Sequence, residues 1–301
     1  MKQLSAGLLM SFVALTALAQ SGKENNTLLW KISGNGLEKP SYLFGTVHMI
    51  CKEDAYLSNN LLVAIEKADR VYLELDMDNL FEMLGAMMKM KMNNDTTLAD
   101  LLTKEEYKKT KEYFETKSSM LPFSVLETFK PLIASSLLME ASGACEEQVA
   151  MEQLIMEEAK KKGKRIDGME TMAYQMSIFD SIPYKVQAQE LLKSITSGDK
   201  ESDGNKEYKE LIKAYKEQDL NKLGDMISKS DEGMMQYQDI LLNNRNRNWV
   251  TKLKTLLKDK SLVVAVGAGH LPGDTGLINL LRKEGYTVTP VENKASNMRE
   301  I

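Results

Sequence analysis

Histidine is nearly missing from this 301-residue chain: there are two. Cysteine is equally scarce, also two, so no multi-thiolate metal cluster or disulfide-dense scaffold can be built from it. Positive charge is not in excess, with 39 Lys+Arg against 43 Asp+Glu and a net charge of −4. Such a balance excludes a global attraction to nucleic acid or to anionic lipid. Past the first nineteen residues no apolar run is long enough to span a bilayer. Three catalytic signatures are absent as well: the H-E-x-x-H zincin helix, the G-x-S-x-G nucleophile elbow and the G-x-x-x-x-G-K-[ST] phosphate loop.

What is present begins with an address. Lys2, an apolar stretch over residues 4–18 and the small-residue pattern Ala17-Leu18-Ala19 read as a secretory signal peptide over residues 1–19. Cleavage would leave residues 20–301 as one exported domain, periplasmic or extracellular, with no stable membrane insertion. An apolar content of 43% is enough for a sizeable core. In an exported chain the even pair Cys51 and Cys145 points to a disulfide. The competing reading makes Cys51, three residues past His48, a thiol nucleophile or a metal ligand.

Both histidines close the same pattern, an apolar run followed by Gly-x-x-His. The first is Tyr42-Leu43-Phe44-Gly45-Thr46-Val47-His48 and the second Val263-Val264-Ala265-Val266-Gly267-Ala268-Gly269-His270. Each reads as a buried strand entering a tight turn. Ligands of open α/β sheets bind at the carboxyl ends of strands, so two imidazoles delivered there can meet in one crevice. Around them, residues 28–32 and 42–45 form a hairpin about Gly34-Asn35-Gly36, and residues 71–75 follow a helix carrying Leu57, Leu61, Leu62 and Ile65. Residues 77–244 are a long helical insertion with one break, at residues 164–168, suited to an edge strand. Trp249, Leu253, Leu256 and Leu257 continue as a helix into the second histidine strand. Asp274 is the expected cap of the next helix, Gly285 its end, and residues 286–291 the last strand. The fold class is therefore α/β and helix-rich, with a central sheet assembled from both ends of the chain. Six methionines, Met77, Met83, Met87, Met88, Met90 and Met92, are clustered at the start of the insertion. Copper binding by thioethers is one reading, and a pliable groove wall for an extended substrate is the commoner one.

A divalent metal on two imidazoles needs at least one carboxylate and open positions for water and substrate. Glu74 fits, because in Val71-Tyr72-Leu73-Glu74-Leu75-Asp76 it alternates away from the apolar positions near a strand end. Helix capping is the plainer alternative, and it suits Asp76 better. Glu170, at a strand-to-helix junction, is a second candidate that capping explains equally well. In Arg245-Asn246-Arg247-Asn248, an arginine could face a developing oxyanion, where a surface ion pair is the usual alternative.

The ordered motifs Phe44-Gly45-Thr46-Val47-His48, Leu73-Glu74-Leu75-Asp76, Gly168-Met169-Glu170-Thr171 with Gln175, Arg245-Asn246 with Trp249, and Val266-Gly267-Ala268-Gly269-His270-Leu271-Pro272-Gly273-Asp274 resemble the TraB/GumN family, which includes the Tiki metalloproteases. The resemblance runs from about residue 28 to residue 291, and Met169 replaces the leucine more usual before that glutamate. It implies a fold related to erythromycin esterases and haem-binding ChaN-like proteins, and for the Tiki branch peptide hydrolysis supported by manganese or cobalt. His48 and His270 match the paired histidines, Glu74 the acidic position, and Glu170, Arg245 and Asn246 the other polar motifs. The expectation is an exported hydrolase of peptide or protein substrates. His48, His270 and Glu74 would hold a divalent transition metal (Mn, Co or Zn), and Glu74, Glu170, Arg245 and Asn246 would carry catalysis. The alternatives are a non-catalytic haem-, metal- or peptide-binding protein of the same fold, and an ester or lactone hydrolase.

Overall fold

A computed structural model describes residues 26–295 except 78–84, 86, 88, 117–120, 142–144, 146, 199–202, 230–233 and 235. The proposed signal segment, Met83 and Met88 lie outside the described residues.

The strands are β1 (Leu29–Ser33), β2 (Ser41–Thr46), β3 (Ile50–Cys51), β4 (Arg70–Leu75), β5 (Gln148–Val149), β6 (Arg165–Glu170), β7 (Leu262–Gly267) and β8 (Thr287–Val291). Six form one mixed sheet in the order β6-β4-β7-β2-β1-β8. The β1–β2 hairpin turns through Gly34, Asn35 and Gly36, all at positive φ, which glycine and asparagine tolerate best. The expected sheet from both chain ends is present, and the break at residues 164–168 is its edge strand β6, parallel to β4. Strand β7 inserts between β4 and β2 and runs parallel to both. Its Leu-Val-Val-Ala-Val run is wholly buried, as expected of a parallel strand covered on both faces.

This order decides where the site lies. β2, β7, β4 and β6 are mutually parallel, so their carboxyl ends share one sheet edge, with Thr46 beside Gly267 and Leu75 beside Glu170. The helix Asn59–Lys67, capped by Ser58 through Leu61 N–H, makes the crossover from β2 to β4. One apolar core packs on the sheet. A second, centred on Phe114, Phe123, Phe129 and Leu191, holds the helices of the insertion together.

Three details depart from or complete the sequence expectations. Asp274 does not cap a helix: Gly276 holds that position before Leu277–Lys283. A Cβ on Gly276 would lie 2.0 Å from the Pro272 carbonyl oxygen, too tight for any capping side chain. A small antiparallel pair, β3 with β5, was not foreseen, being only two residues per strand. Cys51 and Cys145 form a disulfide with Cα atoms 5.9 Å apart, so Cys51 is neither a thiol nucleophile nor a ligand.

Candidate functional site

The glycines of the two Gly-x-x-His turns are demanded by close approach. A Cβ on Gly45 would sit 3.0–3.1 Å from Leu271 and Ala268, so the first turn rests directly on the second. A Cβ on Gly267 would sit 3.2 Å from Glu74 Oε1, the atom that accepts the Gly267 N–H at 2.7 Å. Both motifs thus leave adjacent strand ends, and the second is threaded past a carboxylate.

Helix Asn244–Leu256 supplies the lid of this edge. Arg245, Asn246, Trp249, Val250 and Leu253 are its buried residues, a helical stripe whose first turn is polar and whose remainder is apolar. A π-helical turn, Asp239–Asn243, runs directly into it. The Arg245 guanidinium is saturated. Its Nε donates to Glu170 Oε1 and Oε2 at 3.0 and 3.2 Å. One terminal nitrogen reaches Glu74 Oε2 at 2.5 Å and Glu170 Oε1 at 2.8 Å. The other reaches the Leu241 carbonyl at 3.0 Å and His270 Nε2 at 3.1 Å. Glu170 also accepts the Trp249 indole N–H at 3.0 Å. Capping does not explain either glutamate: Thr171 caps the helix after β6, and Glu74 lies within β4.

The proton on His270 follows from its neighbours. Asn246 Nδ2 donates to the Thr275 carbonyl at 2.8 Å, which turns Asn246 Oδ1 toward His270 Nδ1 at 2.6 Å. Nδ1 therefore carries the proton and the lone pair is on Nε2, where an arginine can only donate. Burial lowers the His270 pKa to about 4, against the pull of Glu74, so the ring is neutral at physiological pH. Burial would raise the Glu74 pKa, yet protonated His270, Arg245 and the Gly267 N–H bring it down to about 2. With His270 neutral, the guanidinium and the N–H are what keep Glu74 ionised near pH 7. The Glu170 pKa is raised, chiefly by burial, although Arg245 opposes this.

His48 has a different setting. Its side chain is 75% exposed, and its Nδ1 lies 3.1 Å from Glu152 Oε1, an atom that also accepts the Thr46 hydroxyl at 2.7 Å. The hydrogen bond to Glu152 raises its pKa to about 9, against some desolvation. The structure thus gathers Glu74, Glu170, Arg245, Asn246 and His270 in one bonded network, and sets His48 on the neighbouring turn with Glu152. Sequence reading missed Glu152, Thr46 and Tyr215, whose buried hydroxyl donates to the Gly45 carbonyl at 3.2 Å. Glu152 was hidden among the alternating charges of the insertion helices. Its one sequence signal is a place in the first turn of Met151–Lys161, beside the apolar Met151.

Among the described residues, no group of three or more His, Cys, Asp or Glu side chains stands arranged to hold an ion. The donor chemistry still suits one. Each imidazole has Nδ1 tied to an oxygen, the arrangement that leaves Nε2 for a ligand, and Glu74 Oε1 is 3.8 Å from His270 Nε2. Arg245 is the competing cation.

The family model described as TraB/PrgY/gumN matches residues 28–290. Metalloprotease TIKI2 of Danio rerio is 23% identical over 89% of this chain and 61% of its own length. Metalloprotease TIKI1 of Homo sapiens is 22% identical over 88% of this chain and 62% of its own. The chain thus spans about three fifths of these relatives. No solved structure gives a significant match, so kinship to erythromycin esterases and ChaN-like proteins rests on sequence resemblance alone.

Proposed function

The chain belongs to the TraB/PrgY/gumN family, and from that premise we propose that it is an exported metal-dependent hydrolase acting on peptide bonds. The observation that carries the reading is the pairing of two imidazoles at adjacent strand ends, each with Nδ1 engaged by an oxygen. The names of the TIKI relatives support the reaction class. His48, His270 and Glu74 would hold a manganese, cobalt or zinc ion. When bound, such an ion supplies Lewis acidity at the scissile carbonyl and acidifies water. Asn246 keeps the His270 lone pair on Nε2 and so keeps the ring competent as a ligand. Loading would require Arg245 to give up its 3.1 Å contact with Nε2 while retaining both glutamates. The N–H so released is the donor for a developing oxyanion. Glu170, uncharged more readily than Glu74, is the better proton carrier of the two. Export agrees with the disulfide and with the finding that no described helix is long and apolar enough to cross a membrane.

One observation favours a second reading. Arg245 already neutralises Glu74 and Glu170 and occupies His270, as befits a non-catalytic binding protein for peptide, haem or metal. Metal analysis of the purified protein and a peptide-library cleavage assay, with and without chelator, separate the two. Chelator-sensitive cleavage is expected, abolished together with metal binding in His48→Ala and His270→Ala. Arg245→Lys should retain metal and lose rate, because an ammonium cannot reproduce the planar fork. Peptide binding without cleavage, indifferent to chelator, would establish the second reading.

A further inference from the structure

Glu152 belongs to none of the motifs that carry the family resemblance, yet it is the hydrogen-bond partner of the more exposed histidine. It is 8% exposed and sits in the first turn of Met151–Lys161. Its Oε1 accepts the Thr46 hydroxyl at 2.7 Å and lies 3.1 Å from His48 Nδ1. Thr46, the last residue of β2, is itself buried, so the hydroxyl fixes the carboxylate from the protein side. The two chain segments involved are fastened a few residues further on. Ile50 and Cys51 pair with Val149 and Gln148, the Lys52 N–H donates to the Glu147 carbonyl at 3.0 Å, and Cys51 is bonded to Cys145. These contacts join the residues following His48 to the residues leading into Glu152.

The consequence is chemical. An exposed imidazole samples several rotamers, and in water the neutral ring prefers its proton on Nε2. A carboxylate can only accept, so Glu152 receives the hydrogen bond from Nδ1–H and, once the ring is neutral, leaves the lone pair on Nε2. We propose that Glu152 is a positioning residue, which locks the rotamer of His48 and holds its proton on Nδ1, so that Nε2 is the nitrogen offered to a ligand. That the ligand is a metal rests on the reading above; the locked ring does not.

The test uses the ring nitrogens directly. With only two histidines in the chain, a ¹⁵N-histidine spectrum contains two rings, and His270 serves as internal control. At alkaline pH, where both rings are neutral, His48 in the chelator-treated wild type should show the Nδ1–H form. Glu152→Ala should move it toward Nε2–H, leaving the His270 signals unchanged. Glu152→Gln keeps a carbonyl acceptor without the charge and should fall between the two, which also guards against an alanine variant that fails to fold. Mn²⁺ or Co²⁺ titration should then show affinity reduced about 10–100-fold in Glu152→Ala. A wild-type His48 already in the Nε2–H form, or a His48 spectrum identical in all three proteins, would overturn the proposal. If the wild type binds neither ion, the metal reading fails, and the tautomer result alone judges Glu152.

Discussion

The two Gly-x-x-His turns are alike in sequence and unlike in surroundings. His270 is 4% exposed, with one ring nitrogen on Asn246 and the other on Arg245. The His48 side chain is 75% exposed and has its Nδ1 on the Glu152 carboxylate. Their pKa values move in opposite directions for that reason: burial drives the proton off His270, and Glu152 holds one on His48. A repeated motif therefore sets where an imidazole leaves the sheet, while the elements packed over it decide its charge and freedom. The inner turn is part of the core; the outer one presents its ring to solvent.

The sharpest way to break this comparison is to remove the charge at the centre of the inner turn. Arg245→Met leaves Glu74 and Glu170 buried without their counter-ion, and urea unfolding should show a loss of about 3–5 kcal/mol. A loss under about 1 kcal/mol, the level of an exposed ion pair, would mean the network is not a buried one.

Next in size is the contrast between the histidines themselves. His270→Ala strands Asn246 Oδ1 and an Arg245 N–H, so it should cost about 1–3 kcal/mol. His48→Ala should stay within about 0.5 kcal/mol, as exposed sites do. Equal losses in denaturation of the two chelated variants would end the distinction.

The contact between the turns can be tested at Gly45→Ala, whose new methyl group meets Leu271 and Ala268 at 3.0–3.1 Å. Overpacking of this kind should cost about 1–3 kcal/mol, read by thermal unfolding. An unchanged transition would show that the second turn yields freely.

The smallest effect is in the pH dependence of the chelated protein. The folded pKa of His270 is depressed from 6.5 to about 4, so the unfolded chain binds the extra proton and stability falls as pH drops through that interval. Glu74, depressed from 4.5 to about 2, extends the loss to lower pH. His48, raised to about 9, contributes below pH 6.5 and loses that contribution as pH rises through 9, weakly because its ring is in solvent. The acid limb should accordingly flatten in His270→Ala and persist in His48→Ala.

Much of this was legible in the order of residues. Alternation across residues 71–75 marked Glu74 as a strand residue rather than a cap, and it lies in β4. The break at residues 164–168 suited an edge strand, because a short interval ending in Gly168 interrupts the helical pattern, and β6 starts within it. Asp274 misled, since Asp before an apolar stripe is the usual cap, whereas the helix starts after Gly276, where the Pro272 carbonyl leaves no room for a side chain. Glu152 could not be singled out: a carboxylate in a helix of mixed charge looks like any solvated one until a partner is known.

By itself the sequence determined the six strands of the main sheet, the glycines at the ends of two of them and hence the emergence of both histidines from one edge of its parallel part. Those are local matters, set by periodicity, β-branching and the space a missing Cβ leaves. Only the tertiary structure decided that Arg245 would bind Glu74, Glu170 and His270 together, across as many as 171 positions of chain. The same holds for Glu152, which reaches His48 from 104 positions away. Proton positions and charges at the site depend on which dipoles and ions meet inside a desolvated space. Such meetings follow from packing, and no stretch of residues read alone contains them.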